Sequence, residues 1–374
     1  MKHPEAPEHI LEKAWELAEG SRKLLREPGI IDRIRQVSHH SGNRAGVRLL
    51  LASLLAKCHR PFIDPRKPYT EIGGNDSFSG RTYDERYIGP FITRHRLPCN
   101  STTAFLTPAL RNIDHPLTLD REIIGRPREL YIAVLQLLQD ASHEEAQPLM
   151  LLAETLRQLR LLRDTQIERL EQMLGTLQQE RSPLPPSSEA IITLISQHLA
   201  SRNASRLPVL AVSAAYRVAG TRLGEQVQTL HAHNAADAQT GSMGDIEILL
   251  MNDERIATVY EMKSKRVTIA DLDLILKKLA RTTARIDNYI VITTDPIDAE
   301  VHDYARSLYD RTSGVEVVVL DCIGFLRHFL HLFHRLRTHF LETYQELVLN
   351  EPESSVTQAL KEAFLALRRV AEAE

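Results

Sequence analysis

Two short runs, Gly244-Asp-Ile-Glu-Ile-Leu-Leu-Met251 and Ile256-Ala-Thr-Val-Tyr-Glu-Met-Lys263, are rich in β-branched and apolar residues and are separated by Asn252-Asp253-Glu254. That composition predicts two strands, residues 245–251 and 256–263, joined by a tight turn. Side chains alternate along a strand, so Glu261 and Lys263 share one face and Met262 turns to the other. Pairing the strands across the turn carries Asp245, at the start of the first, towards Glu261, near the end of the second.

Regular elements extend in both directions from this hairpin. Residues 208–220 read as a helix. Residues 268–285 read as another, with Thr268 as its N-cap and Asp271 in its first turn. Residues 289–293 and 315–320 read as strands, residues 298–311 and 325–347 as helices, and Ser355 with Gln358 as the cap of a last helix. The order is helix, hairpin, helix, strand, helix, strand, helix, which predicts an α/β fold with a mixed sheet flanked by helices. The N-terminal region reads as mainly helical, over residues 8–25 and 30–56 and again from about residue 128. Between these lies a Pro- and Gly-rich insert, residues 61–116, whose aromatics (Phe78, Tyr83, Tyr87, Phe91 and Phe105) argue against disorder. Leu152, Leu156, Leu159, Ile167, Leu170, Leu174 and Leu177 form an apolar helical stripe suited to a core or an interhelix face. Ser182-Pro-Leu-Pro-Pro-Ser-Ser188 cannot continue a helix and reads as a linker. The expected division is residues 1–181, a helical region carrying the insert, and residues 189–374, the sheet-bearing domain with its C-terminal helices.

A hydrophobic content of 43% over 374 residues supports sizeable cores in two or more domains. No stretch has the length of an apolar membrane span, and residues 1–20 have no apolar signal core. Cys58, Cys99 and Cys322 are sparse and far apart, which argues for a reducing compartment, so a cytoplasmic location is expected. A net charge of −3 is not that of an indiscriminate nucleic-acid binder, but it leaves room for one basic face.

Asp245 and Glu261 converging at strand ends make a hard-oxygen site suited to magnesium, with Lys263 in reach of a water or a phosphate oxygen. Phosphodiester hydrolysis uses such a set. A salt-bridged edge strand would carry the same residues without chemistry; the flanking order of elements favours the functional reading.

Gly244-Asp245 followed after fifteen residues by Glu261-Met262-Lys263 resembles the PD-(D/E)XK nuclease motif, with Gly244 where the motif has proline. The resemblance implies that Asp245 and Glu261 bind the metal and that Lys263 orients the attacking water. It also implies a glutamate on the helix before the hairpin, a slot that Glu225 fits. Longer segments resemble the SacI family of type II restriction endonucleases: Gly73-Gly-Asn-Asp-Ser-Phe-Ser-Gly-Arg81, Tyr83-Asp-Glu-Arg86, Thr103-Ala-Phe-Leu-Thr-Pro-Ala-Leu-Arg-Asn112 and His233-Asn-Ala-Ala-Asp-Ala-Gln-Thr240. That likeness spans roughly residues 40–345. It implies a magnesium-dependent endonuclease cutting both strands of double-stranded DNA at a short palindrome, GAGCTC for the founding enzyme. A homodimer and a cognate DNA methyltransferase are the implied partners.

Within the insert, Asn75, Ser79, Arg81, Arg111 and Asn112 offer the side-chain types that read bases or hold phosphates. Lys265 and Arg266, with Lys277, Lys278, Arg281 and Arg285, form a basic cluster after the second strand that suits a phosphate backbone, although Lys277 and Lys278 equally fit a solvated helix face. His328, His331 and His334 recur at near-helical spacing with no carboxylate at the usual partner spacing and read as structural. The competing readings are another nuclease on the same core (repair, resolvase or modification-dependent), a non-catalytic DNA-binding protein, and a Rossmann-type transferase. The last lacks any Gly-x-Gly-x-x-Gly or Walker A loop.

Overall fold

The computed structural model describes residues 5–373 apart from 41–43, 101–102, 122, 124, 144, 181–183, 229, 231–241, 252, 254 and 283–285. The segment His233–Thr240, Arg285, Asn252 and Glu254 of the turn, and the first two residues of the Ser182–Ser188 linker therefore lie outside the described residues. The chain divides into two compact units, Met1–Arg169 and Leu170–Glu374.

The first unit is built on helices α1 (Pro7–Glu19), α2 (Pro28–His39), α3 (Ala45–His59), α4 (Gly80–Tyr83), α5 (Gly89–Arg94), α6 (Arg128–Ser142) and the first part of α7 (Pro148–Gln179). The expected single helix over residues 30–56 is two, and their separation lets α2 and α3 each pack on α6. Every residue of α3 from Ala45 to Ala56 is buried, so this helix is the axis of the core and has no solvent face. The Pro/Gly-rich insert is not irregular throughout. Its aromatics Phe78, Tyr83, Phe91 and Phe105 enter the same core as α3, and α4 and α5 are joined by a π turn, Asp84–Ile88. Trp15 of α1 lies against His95, with ring centroids 4.2 Å apart, and edge-on to Phe91 at 5.8 Å.

The second unit carries α8 (Ser188–Leu199), α9 (Leu207–Leu223) and a five-stranded mixed sheet, followed in part and interleaved by helices. Its strands are β1 (Glu225–Val227), β2 (Ile246–Leu250), β3 (Ile256–Lys263), β4 (Asn288–Thr293) and β5 (Glu316–Asp321), in spatial order β1-β2-β3-β4-β5. The first two pairings are antiparallel and the last two parallel. Helices α10 (Ile269–Leu279) and α11 (Ala299–Arg311) make the crossovers, and α12 (Cys322–Leu332), α13 (Arg337–Asn350) and α14 (Gln358–Ala373) complete the unit. Alternation sorts the sheet's side chains. Ile246, Ile248, Tyr260 and Ile292 join the core of α8, α9, α12, α13 and α14. Val259, Tyr289, Val291, Val317 and Val319 join the core with α10 and α11. The fold is thus α/β, a mixed sheet with helices on both faces and a mainly helical N-terminal region.

Three sequence readings need correction here. The expected helix over residues 325–347 breaks at Phe333, where the backbone leaves the helical region, and a 3-10 turn at His334–Leu336 redirects the chain into α13. The break lets α12 pack on α8 and α13 on α9. The last helix is led in by Thr357, whose hydroxyl accepts from Leu360 N, and by Glu353, which accepts from Gln358 N; Ser355 does not cap it. Glu225 is not on a helix: α9 stops at Gly224, which takes the left-handed conformation (φ 71°) that glycine tolerates best, and Glu225 opens β1.

Candidate active site

The site is assembled on the sheet face that α10 covers. The register pairs Ile246 with Tyr260, and Asp245 N donates to Tyr260 O at 2.8 Å, so one further step sets Asp245 opposite Glu261. Asp245 is held there by its own carboxylate, whose Oδ2 accepts from Met262 N at 2.7 Å. Gly244 explains why the chain passes so close. A Cβ at that position would stand 2.5 Å from Val259 Cγ1 and 2.6 Å from Tyr260 O, so no residue with a side chain, proline included, fits without moving β3. The departure from the proline of the motif therefore has a steric cause in this chain.

Two neighbours absent from the sequence reading fix the surroundings. Glu247, buried and two residues beyond Asp245, turns its Oε1 back to accept from Met243 N at 2.5 Å and from Ser242 Oγ at 3.1 Å. Tyr289 on β4 places its hydroxyl against both Met243 O, at 3.1 Å, and Glu261 Oε2. With one hydrogen, that hydroxyl donates to one of the two at a time. Met243 is thus clasped at its N–H by β2 and at its carbonyl by β4, and Glu261 is tied to the same point. No local pattern in the sequence announces either contact, because Tyr289 meets Glu261 only through the parallel pairing of β3 with β4.

Lys263 Nζ pairs with Glu261 Oε1; their side chains are 23% and 17% exposed, enough to reach solvent. Burial alone would lower the Lys263 ammonium, but the Glu261 hydrogen bond and the charges of Glu261, Asp271 and Asp245 outweigh it and hold the pKa above its ordinary value. Lys263 is therefore a fixed cation at neutral pH. Lys278, from the last turn of α10, brings its Nζ to 3.9 Å from Glu261 Oε2. Asp271 joins Thr268 in a capping box that fixes the start of α10.

The remaining expected site residues lie elsewhere or are engaged. Glu225 pairs with Leu250, at the far end of β2 from Asp245, roughly 17 Å along the strand. It also falls on the opposite side of the alternation from Glu261, and so cannot share an ion with the other two. Burial raises its carboxyl pKa. Lys265 and Arg266 follow β3 as expected with exposed side chains, Lys265 paired with the buried Asp271 at 3.2 Å and Arg266 with the exposed Asp298. An exposed pair such as Arg266–Asp298 contributes little to stability, so a phosphate can displace that carboxylate at small cost. In the first unit, Asn75, Arg81, Arg111 and Asn112 are exposed. Arg81 pairs with Glu85 one turn on, Asn112 is left-handed (φ 59°), and Ser79 caps α4 by accepting from Thr82 N. His328 and His334 are exposed on or just beyond α12, and His331 meets Glu189 at 2.8 Å.

Asp245 and Glu261 offer carboxylate oxygens of the kind magnesium prefers. Among the described residues no group of three His, Cys, Asp or Glu side chains stands ready to hold a metal. An ion at this pair would complete its shell from water and phosphate, which is how magnesium is commonly bound. The donor set fits on that condition. No protein-family model matches the chain, and no curated protein matches it.

Proposed function

We propose that the second unit is a PD-(D/E)XK nuclease core and that the protein is a type II restriction endonuclease, hydrolysing phosphodiesters in both strands of DNA at a short palindrome. The observation that carries the proposal is the meeting of Asp245 with Glu261 across β2 and β3, with Lys263 two residues further along the same face. The order from α9 through the β2–β3 hairpin and α10 to the parallel β4 is the helix-hairpin-helix-strand order that the motif's resemblance implies, which supports the reading further.

Asp245 and Glu261 would hold magnesium, which when bound polarises the phosphoryl oxygen and lowers the pKa of an attacking water. The chain's own residues do the rest. Lys263, kept protonated by its carboxylate neighbours, donates to the water or phosphate oxygen and offsets the charge that develops there. Tyr289 restrains Glu261, and Glu247 restrains the backbone that delivers Asp245. Arg266 exchanges Asp298 for a backbone phosphate, and the exposed ammonium of Lys265 adds a second contact to the backbone. Recognition falls to the first unit, with Asn75, Ser79, Arg81, Arg111 and Asn112 at or near its surface, and cutting of both strands calls for a homodimer.

The test is incubation of the purified chain with a mixed set of plasmid and phage DNAs. Cutting into discrete bands with magnesium, and none with EDTA, is the expected outcome. Undiminished cutting in EDTA rules out the metal mechanism, a smear moves the assignment to a repair-type nuclease, and no cutting of any DNA removes the nuclease reading.

A further inference from the structure

We infer that Lys278 is a second phosphate-contacting cation of this site, supplied by α10 rather than by the motif strands. The inference rests on the nuclease reading above and adds a residue to it. The last turn of α10 carries two lysines, and the packing separates them. Asp271, Ile275 and Lys278, spaced four and three residues apart, lie on the helix face turned to the sheet, with Asp271 and Ile275 buried and the Lys278 side chain 28% exposed. Lys277 faces solvent. A lysine needs no partner to end a helix well, since either one interacts favourably with the C-terminal carbonyls. What marks Lys278 is its destination.

That destination is Glu261. Lys263 takes Oε1, and Lys278 stands 3.9 Å from Oε2. The two ammonium groups thus bracket one carboxylate from two different elements. At 3.9 Å the attraction is Coulombic and too long for a hydrogen bond. It weakens further when the charge of Glu261 is shared with a bound cation. A phosphodiester entering the site then presents a new anion beside Glu261 and within the lysine's reach, and a flexible four-carbon stem lets Nζ follow it. Lys263 and Lys278 so placed attend different oxygens of the same phosphate, and charge that builds up on attack and on departure has a cation for each.

The experiment compares single-turnover cleavage by the full-length wild type, Lys278→Ala, Lys278→Met, Lys278→Arg and Lys277→Ala on a DNA that the wild type cuts, with thermal melting of each protein. Manganese affinity without DNA is read by calorimetry. Lys278→Ala and Lys278→Met are expected to slow cleavage about 10- to 100-fold, Lys278→Arg to restore part of the rate, and Lys277→Ala to stay within about twofold. Manganese should bind Lys278→Ala at least as tightly as wild type, because a competing positive charge beside Glu261 has gone; a merely structural role would not produce that gain alongside a slower reaction. The methionine variant keeps the side chain's apolar stem, so a fold that fails only in the alanine variant still leaves a test. Wild-type rates in both Lys278→Ala and Lys278→Met beside an inactive Lys263→Ala overturn this inference and leave the nuclease reading standing, as does equal slowing by Lys277→Ala. A wild type that cuts no DNA with magnesium removes both.

Discussion

In residues 1–169 the guanidinium of Arg48 meets Asp84 at 2.8 Å, and in residues 170–374 the ammonium of Lys263 meets Glu261. Both pairs join a cation to a carboxylate, yet their surroundings differ. Arg48 and Asp84 are 2% and 0% exposed, Arg48 also donates to Asn100 O at 2.7 Å, and Asp84 Oδ2 accepts from Thr103 Oγ1 at 2.6 Å and Ala104 N at 2.8 Å. Donors and acceptors there are matched within the chain, and the pair bolts α3, the π turn, Asn100, Thr103 and Ala104 together. Glu261 instead lies among Lys263, Lys278 and Tyr289 with part of its surface open. A closed ion pair can only hold the fold. An open cluster with more charges than one geometry satisfies can exchange partners, and exchange is what binding and catalysis require.

The contrast breaks most visibly at Asp84. Asp84→Ala strands a buried guanidinium and is expected to cost about 3–5 kcal/mol of stability, read by urea unfolding of the first unit. Joint replacement, Arg48→Met with Asp84→Leu, should recover most of that loss. Unchanged stability in Asp84→Ala would mean that the pair is not a bolt.

At the open cluster the loss should fall on rate instead. Asp245→Ala, Glu261→Ala and Lys263→Ala are each expected to lower cleavage about 100- to 1000-fold, equivalent to roughly 3–4 kcal/mol of transition-state stabilisation, with melting temperatures near wild type. Lys263→Ala should spare metal binding better than the carboxylate changes. Loss of fold in all three would erase the distinction between the clusters.

His198 sharpens the comparison, because it is a closed group inside the unit that holds the open one. Its Nδ1 lies 3.0 Å from Tyr344 Oη and its Nε2 3.0 Å from Leu360 O, so a neutral ring receiving from the tyrosine and donating to the carbonyl satisfies all parties. Burial pulls its pKa from 6.5 down to about 4, against a small opposing pull from the Leu360 carbonyl. The folded pKa lies below the unfolded one, so the unfolded chain takes up the proton first as acid is added. Stability from this group is complete above pH 6.5 and drains away as pH falls towards about 4. The loss should be at most about 3 kcal/mol, and His198→Gln, destabilised at neutral pH, should show a gap from wild type that narrows over this window. A gap independent of pH would refute the assignment. The smallest effect belongs to Tyr289→Phe, which removes one hydrogen bond to Glu261 and should cost about 1 kcal/mol, roughly a fivefold fall in cleavage, while Asp84-type destabilisation stays absent.

The hairpin, α10 with its Thr268 cap, and strands β4 and β5 were legible because period-two alternation and capping chemistry are local properties. Asp245, Glu261 and Lys263 came together as their spacing required. The break at Phe333 was not legible, since apolar residues continue in helical period from Phe325 to Leu341 and neither Gly nor Pro marks the bend. Gly224 did carry the signal that α9 stops and Glu225 leaves the helix, but β1 is three residues long and too short to be read as a strand. Tyr289 and Glu247 stayed hidden, and Lys278 was legible as a basic residue but not as a neighbour of Glu261, for a common reason. Their roles arise from parallel pairing, a side chain folding back on its own turn, and the rotation of α10 over the sheet, each set by packing between elements and not by neighbours in sequence.

Trp15 is the only tryptophan of the chain, and it is packed against His95 and Phe91 with the Arg163 guanidinium 5.9 Å from its ring. Tryptophan emission is therefore a private reporter of residues 1–169, spectroscopically blind to the sheet. A denaturation curve followed by that emission traces one unit alone, while far-ultraviolet circular dichroism sums both. Coincident curves would mark one cooperative transition, and separated curves would mean that each unit carries its own melting point.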